Sequence, residues 1–365
     1  MSSAMRALLA LSAALGLATF LPGGSQDRVE AGQPAMASGY KVLEPISHGR
    51  LVIFPVVTAN VHDTRQFLTL DEGLTSGEVV VTEAGSIRPL IRRPGTRPAP
   101  QQDAEVNRLV LVNNSSRPLL LLAGEIVTGG KQDRVVGKDR IIPPNSDPVD
   151  LSVFCVERGR WEHKTASFGS MEAQMAQPSV RAKAMGDKDQ SKVWDEVRKS
   201  NEHRVANAPA AARAEVGNTT SYAMVNDNAE MKRQVDEVAG ALLSSHDRVL
   251  RQLRAQNAVG VVVAVNGRII WADLFASTSL LEKYWAKLVR SYAAEALSAY
   301  GAKGSAGVKQ AQAFLDDWDG NRQVVETEPG VFRHTEISGS GYRAFELTSL
   351  LPKTGFDIHL SKMVE

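Results

Sequence analysis

VGVVVAVNGRIIWADLF, residues 259 to 275, carries the strongest local signal for the fold of this chain. Two apolar runs flank Asn266-Gly267, the dipeptide favoured in a type I′ hairpin because both central residues need positive φ. The stretch therefore predicts two paired antiparallel strands with buried faces.

A helix is predicted directly after this hairpin. Ser279-Leu280-Leu281-Glu282 has the spacing of a capping box, which starts a helix by satisfying its first backbone N–H groups. One face of that helix is apolar at helical spacing: Leu281, Trp285, Leu288 and Tyr292. Two further strands, 332 to 338 and 341 to 348, are predicted to pair around Gly339-Ser340-Gly341.

The N-terminal part, from about Tyr40 to Trp161, reads as β structure. Its apolar runs are LVIFPVV (51 to 57), EVVVTE (78 to 83), NRLVLVNNSSRPLLLLAGEIV (107 to 127) and PVDLSVFCVE (148 to 157). Asn113-Asn114-Ser115-Ser116 separates two of these runs, which predicts a hairpin. The proline-rich stretch 92 to 105 predicts a loop.

Residues 170 to 258 have helical periodicity. Trp194 and Val197 mark one amphipathic helix, and a second, long helix is predicted from a stripe with spacings of three, four and seven: Met231, Val235, Val238, Leu242, Val249 and Leu253. The segment between them, with Pro209 and Gly217, predicts a connector. Strands and helices follow each other in blocks, so we expect an α+β fold, with residues 39 to 362 packed as one domain.

Composition narrows the classes of partner. The 365 residues include 42 Lys and Arg against 41 Asp and Glu, a formal net charge of +1, with 43% hydrophobic residues. This balance supports a large core and provides no overall field for nucleic acid or an anionic membrane surface. We therefore expect neither as a partner. Oligomeric state is left open.

The first residues have the pattern of a secretory signal peptide. Arg6 precedes the apolar run Ala7 to Leu21, and Pro22, Gly23 and Gly24 follow it. We predict a signal peptide over residues 1 to 25 and a secreted or periplasmic protein, free of the membrane after cleavage. An uncleaved N-terminal anchor is the alternative.

Cys155 is the single cysteine, so no intramolecular disulfide can form. It lies in DLSVFCVERGRW, where alternating residues indicate a strand. We interpret it as a small buried hydrophobic residue rather than a nucleophile.

The stretch LLLAGEIVTGGKQDR, residues 120 to 134, is the best candidate for a site. Gly129 and Gly130 permit positive φ, and successive backbone N–H groups in such a turn can form an anion-binding nest. Lys131 and Arg134 would add positive charge, and the arginine fork suits phosphate or carboxylate. The alternative is a solvated strand end with mixed charges.

Glu125 suggests a second kind of site. It follows a fully apolar run, and burial would raise its pKa into a range useful for acid or base catalysis. If its strand paired with the one that ends at Glu157, both carboxylates could face one cleft with Arg134 and Arg160, an arrangement suited to glycosidic hydrolysis. A salt-bridged strand edge is the alternative. Trp161 could stack on a base or sugar, or anchor the core.

Other chemistries lack their motifs. The seven histidines have no metal-ligand spacing, so we expect no metal. The turn is not a phosphate-binding P-loop, because Glu125 and Gln132 occupy the positions of a glycine and a Ser or Thr. Dinucleotide and serine-nucleophile motifs are also absent from the sequence, and we expect no cofactor.

GEIVTGGKQDR (124 to 134) and RIIPPNSDPVDLSVFCVERGRW (140 to 161) resemble the ARPP-1 domain family, over about Gly39 to Lys362. The family name records association with ADP-ribosylglycohydrolase and rhodanese-phosphatase proteins, which implies a role near nucleotide or ADP-ribose chemistry. The resemblance implies a ligand site made of Gly124, Glu125, Gly129, Gly130, Lys131, Gln132, Asp133 and Arg134, with Cys155, Glu157, Arg160 and Trp161 beside it.

Three functions stay open at this point. The preferred one is an exported domain that binds an anionic small molecule, phosphate-bearing or nucleotide-like, at the GGKQDR turn without catalysis. The alternatives are a hydrolase of a nucleotide-like or glycosidic substrate, with Glu125 and Glu157 as the catalytic residues, and a protein-binding scaffold.

Overall fold

A computed structural model describes residues 39–84, 105–159, 165, 167–243 and 246–365. The predicted signal peptide, most of the proline-rich loop, and Arg160 and Trp161 lie outside the described residues.

The described strands are, in chain order, β1 (Lys41–Val42), β2 (Ile46–His48), β3 (Leu51–Val57), β4 (Leu68–Thr69), β5 (Val79–Ala84), β6 (Glu105–Asn113), β7 (Leu119–Leu121), β8 (Glu125–Thr128), β9 (Arg134–Val136), β10 (Arg140–Ile142), β11 (Val149–Leu151), β12 (Val153–Cys155), β13 (Gly169–Met175), β14 (Ala258–Val265), β15 (Arg268–Phe275), β16 (Gly320–Glu328), β17 (Phe332–Gly339), β18 (Tyr342–Ser349) and β19 (Asp357–Val364).

The described helices are α1 (Leu70–Thr75), α2 (Pro178–Ala182), α3 (Gln190–Ala206), α4 (Ala210–Val216), α5 (Tyr222–Asp227), α6 (Ala229–Leu243), α7 (His246–Ala255), α8 (Thr278–Ser298) and α9 (Val308–Asp316). A π-helical turn, Lys183–Asp187, directly follows α2. None of the helices in the described ranges is long and apolar enough to cross a membrane.

The hairpin predicted at 259 to 275 is confirmed and lies in the middle of the largest sheet. Its strands β14 and β15 pair antiparallel up to Val265 and Arg268, and Asn266 (φ 54°) and Gly267 (φ 77°) both take positive φ. The nine-stranded sheet has the order β1-β3-β14-β15-β19-β18-β17-β16, with β2 paired to β3. The predicted pairing of the two C-terminal runs is also confirmed, as β17 and β18.

The hairpin predicted around Asn113 is wrong. Strand β6 pairs with β5 and β11, whereas β7 pairs with β4 and β10, so the chain crosses between two small sheets. The Asn113 side chain anchors this crossing by donating to the backbone carbonyls of Arg117 at 2.8 Å and Pro143 at 3.1 Å. A fourth sheet has the order β12-β9-β8-β13 and carries the candidate site.

Helices dominate the middle of the chain as predicted, with differences in detail. The stripe predicted as one long helix is distributed over α6 and α7, and Met231, Leu242 and Leu253 are buried. The predicted connector contains α4, and strand β13 lies within the zone predicted to be helical. Runs of alanine have high helix propensity, which explains α4.

Helix α8 begins two residues earlier than the capping box predicts. Ser277 is its N-cap and accepts a hydrogen bond from the Leu280 N–H at 3.1 Å. Glu282 instead pairs with Arg254, with Oε2 and Nη2 2.8 Å apart. The predicted apolar face is correct: Leu281, Trp285, Leu288 and Tyr292 are fully buried.

The fold is α+β, with strands concentrated in the N-terminal part and at the C-terminus and helices between them. One large core cluster lies between the nine-stranded sheet and α8, and it includes Leu51, Leu120, Trp285 and Met363. Another packs α9 against the same sheet, and a third fills the small sheets. The candidate site lies where the β12-β9-β8-β13 sheet meets α3, α5 and α8.

Candidate functional site

The two glycines of the GGKQDR turn take positive φ, 136° at Gly129 and 49° at Gly130. The carboxylates of the chain itself accept hydrogen bonds from two backbone N–H groups here. The Gly129 N–H donates to Asp133 Oδ1 at 3.0 Å, and the Lys131 N–H donates to Glu83 Oε1 at 2.9 Å. A bound anion would therefore have to displace a carboxylate from these donors.

The side chains of this turn are mostly buried. Gln132 and Asp133 are fully buried, Arg134 is 1% exposed, and Lys131 is partly exposed. The Arg134 Nη1 donates to the Asp133 carbonyl at 3.3 Å. Neither amide atom of Gln132 has a hydrogen-bond partner among the described residues. Within this run, Lys131 is thus the charged side chain that reaches the surface.

Gly124 and Glu125 lie at the other end of β8, in the core. Gly124 has φ 97°, and a Cβ there would lie 2.7 Å from Cδ of Arg181. Glu125 is fully buried; it accepts from the Leu122 N–H at 2.9 Å and from Lys287 Nζ at 2.6 Å. Lys287 also lies 2.9 Å from Asp71 Oδ1. Glu125 therefore belongs to a buried ion-pair cluster.

Burial raises the pKa of Glu125, and the nearby Lys287 ammonium offsets part of that effect. Burial alone would lower the pKa of Lys287, but Glu125 and Asp71 outweigh it and raise that pKa above its ordinary value. Both members of the pair are charged at pH values between their two pKa values, and they form an ion pair with each other.

The structure does not bring Glu125 and Glu157 into one cleft. Val127 and Cys155 both pair with Arg134, so β8 and β12 run parallel on either side of β9. Glu125 precedes Val127 by two residues and Glu157 follows Cys155 by two, which offsets them by roughly 13 Å along the strands. Glu157 instead forms a β-bridge with Ser221.

Cys155 lies directly beside the turn, opposite Arg134. Its thiol is buried, and burial raises the pKa of Cys155 while Arg134 offsets part of the rise. The Gln190 side chain bonds both backbone groups of Cys155, accepting from its N–H at 2.8 Å and donating to its carbonyl at 2.9 Å. The residue is held as part of the sheet and α3 interface, consistent with a structural role.

A cleft of about 500 Å³ lies beside Arg158, the last residue of the CVER segment at the end of β12. The sequence did not predict this cleft. Arg158 forms one wall and α3 from Trp194 to Ala206 forms another. Val216, at the end of α4, and the 217 to 220 loop close the cleft. The Arg158 guanidinium lies over the Trp194 ring, 5.4 Å from its centroid. Trp194 was predicted only as a helix residue, and no sequence signal connected it to Arg158.

The charged groups of the cleft are unevenly paired. Arg198 Nη1 lies 3.1 Å from Glu202, and Arg198 Nη2 lies 3.8 Å from Asp195. Arg158 makes no ion pair with any described residue, and its contact in the described chain is with the Trp194 ring. Asn201 is 5% exposed, and its Oδ1 lacks a hydrogen-bond donor within the described ranges.

The model of a known protein family matches nearly the whole chain. The model of the ARPP-1 family, the "ARG and Rhodanese-Phosphatase-superfamily-associated Protein domain", matches residues 39–363. The chain belongs to the ARPP-1 family. No curated protein and no solved structure matches it. The ARPP-1 match extends over the turn, the buried ion pairs and the cleft.

This ARPP-1 domain also contains a buried charge network that sequence reasoning missed. Arg181 donates two hydrogen bonds to Asp273, each at 2.9 Å, and Tyr292 donates to Asp273 at 2.5 Å. His359 bridges two acids, with Nδ1 2.5 Å from Asp139 Oδ2 and Nε2 3.3 Å from Asp273 Oδ1. The sequence signal that could have revealed this network is Asp273, an acid in the otherwise apolar strand end ADLF. Full burial of these groups indicates a structural network.

Within the described ranges, no three or more His, Cys, Asp or Glu side chains are grouped so that they could hold a metal ion.

A second depression, of about 210 Å³, lies beside the turn and is lined by Thr128, Gly129, Asp133, Thr165, Ala223, Met224 and Asp227. Its lining contains two acids and no basic side chain.

Proposed function

We propose that this ARPP-1 domain binds an anionic small molecule, phosphate-bearing or nucleotide-like, in the cleft between Arg158 and α3. The observation that carries the proposal is Arg158, a cation without a described carboxylate partner, held over Trp194 on the wall of a 500 Å³ cleft. That volume lies within the range of about 300–1,000 Å³ typical of small-molecule sites.

The lining of the cleft supports a ligand with two kinds of group. The Arg158 guanidinium suits a carboxylate or phosphate, because its planar fork donates two parallel hydrogen bonds. Trp194 and the apolar side chains of α3 suit a ring or other planar part.

The cleft is a better location for an anion than the GGKQDR turn. At the turn, Glu83 and Asp133 already accept from two of the backbone donors on which a nest would depend. That the residues of the turn bind a ligand stays a prediction. Lys131 is partly exposed, so its substitution can test that prediction.

The geometry does not favour hydrolysis by Glu125. Its carboxylate lines neither the cleft nor the depression, and it is bonded to Lys287 in the core. We therefore propose binding rather than turnover. We also propose export, on the strength of the apolar segment between Arg6 and Pro22. N-terminal sequencing of the protein recovered outside the cytoplasm tests export, and an intact Met1 would contradict cleavage.

The test is a thermal-shift and calorimetry panel with inorganic phosphate, ribose 5-phosphate, AMP, ADP-ribose, benzoate and neutral ribose. A ligand at a hundred times its dissociation constant adds about 2.7 kcal/mol to the free energy of unfolding. We expect a shift with at least one anionic compound and none with ribose. Arg158→Ala should weaken that binding about tenfold or more, since it removes the charged contact.

Two variants act as controls for location and charge. Arg251→Ala removes an exposed arginine on α7 outside the cleft lining, and it should leave affinity unchanged. Lys131→Ala tests the turn: loss of binding there with full binding in Arg158→Ala would move the site to the turn. A panel with no shift at all would favour a protein-binding scaffold.

A further inference from the structure

Arg204, on α3, is a buried arginine without an anionic partner in the described chain. It is 1% exposed, and its Nη1 donates to the Asn226 Oδ1 at 2.7 Å. Its Nε and Nη2 have no hydrogen-bond partner among the described residues. These two nitrogens form the edge of a guanidinium that donates two parallel hydrogen bonds to an anion.

Arg181 shows how the same fold satisfies a buried arginine. It is fully buried, and both of its Nη atoms donate to Asp273 at 2.9 Å. Burial of a charge is costly unless it is paired and hydrogen-bonded. Arg204 has the burial of Arg181 without the carboxylate, and its one described bond is to a neutral amide.

The surroundings of Arg204 do not supply the missing charge. Tyr222, a neutral phenol at ordinary pH, is the titratable group that acts on it most directly, and burial lowers the pKa of Arg204. Asn226 donates its own amide to the Tyr222 carbonyl at 2.7 Å, so its Oδ1 is correctly oriented to accept from Arg204. None of these groups supplies an anion to the Nε and Nη2 edge.

We propose that the Nε and Nη2 edge of Arg204 binds a compact monovalent anion, of the size of chloride or formate. One charge is enough to neutralise the guanidinium, whereas a divalent anion would leave a net buried negative charge. We expect a compact ion because Arg204 is almost fully enclosed, at 1% exposure, which disfavours a large anion.

This site differs from the cleft of the proposed function. Asn201 and Val205 line the cleft from the same helix, but Arg204 does not line it. The cleft ligand is expected to depend on Arg158, and the compact anion is expected to depend on Arg204. Either proposal can therefore fail without the other.

The test compares the melting temperature of the full chain in sodium chloride, sodium formate and sodium gluconate at equal ionic strength. Gluconate is the matched control, since it is monovalent but too large for an enclosed site. We expect chloride or formate to raise the melting temperature in a saturable manner by about 2 °C or more relative to gluconate.

Arg204→Met is the decisive variant, because it keeps an unbranched side chain and removes the buried charge. In gluconate it should melt at the same temperature as the wild type or above it, and it should lose the response to chloride and formate. Arg158→Ala should keep that response.

Two results would overturn the proposal. One is a wild type that melts at the same temperature in all three salts, which would mean that water or Asn201 satisfies Arg204. The other is an anion response that persists in Arg204→Met. If that variant does not fold, the salt comparison on the wild type still decides between an anion and water.

Discussion

Lys287 Nζ lies 2.6 Å from Glu125 Oε1, and this contact joins α8 to the first residue of β8 across 162 positions of sequence. Both side chains are buried, at 4% and 0% exposure, and Asp71 is the second partner of the lysine. The glutamate that the sequence offered as a catalytic acid thus links the small sheets to the central helix.

Lys287→Met should lower the free energy of unfolding by about 3–5 kcal/mol, because it leaves Glu125 buried without its cation. Adding Glu125→Gln should recover part of the loss, since the orphaned charge is removed. Urea unfolding of the single and double variants measures both effects.

Lys283→Met is the control on the same helix. Lys283 pairs with Glu72 nearer the surface, at 26% and 40% exposure, and its loss should cost about 1 kcal/mol or less. Equal losses in Lys283→Met and Lys287→Met would contradict a special role for the buried pair.

Gly130→Ala should destabilise the protein by about 2–4 kcal/mol, through positive φ and through overpacking. Its φ is 49°, and a Cβ would lie 2.4 Å from Cζ of Phe168. Gly240→Ala in α6 is the opposite case, with no atom within 4 Å, and should stabilise by about 0.5–1 kcal/mol. Thermal unfolding compares them, and similar effects of both substitutions would contradict the turn geometry.

Local signals predicted the fold well where one short segment determines its own structure. Asn266-Gly267 specifies its turn through positive φ, so the hairpin at the middle of the sheet could be predicted from 17 residues. The start of α8 was missed because Ser277 and Ser279 both precede the apolar face, and both can act as a cap. In the fold Ser277 accepts from the Leu280 N–H, and Thr64 Oγ1 contacts the hydroxyls of both serines.

Contacts between distant segments could not be predicted from the sequence. The run at 107 to 127 is apolar on both faces, so its pattern does not specify which sheet each strand joins. Arg158 meets Trp194 only because β12 and α3 pack together, and the cleft forms only where the end of α4 and the 217 to 220 loop close it. Glu125 could be predicted to be buried, but its cation could not be identified.

Cys155 should react slowly with a thiol reagent in the folded protein. Burial raises the pKa of its thiol, and both its exposure and its thiolate fraction are therefore low. We expect modification by a disulfide reagent at neutral pH to be about tenfold or more slower in buffer than in urea. Equal rates would indicate an accessible, reactive thiol and would reopen a catalytic role.

His359 should make the stability of the protein depend on pH in the alkaline range. Burial alone would lower its pKa, but Asp139 and Asp273 outweigh burial and raise the pKa of His359 to about 9. In the unfolded chain a histidine titrates near 6.5. The stabilisation is therefore fully present below pH of about 6.5 and is lost as pH rises through about 9, with a magnitude on the order of 3 kcal/mol.

The measurement is urea unfolding of the wild type and His359→Gln between about pH 6 and pH 10. The informative quantity is the difference in unfolding free energy between the two proteins. Burial lowers the pKa of Lys362 to about 8, so the contribution of Lys362 to stability rises with pH, opposite to that of His359. This contribution is present in both proteins and cancels in the difference. Asp139 and Asp273 have lowered pKa values and stay ionised over this window. The stability advantage of the wild type should shrink as pH rises through about 9, whereas His48→Gln, at an exposed position, should change little. A difference that is constant from pH 6 to pH 10 would mean that His359 is not held as an imidazolium between the two acids.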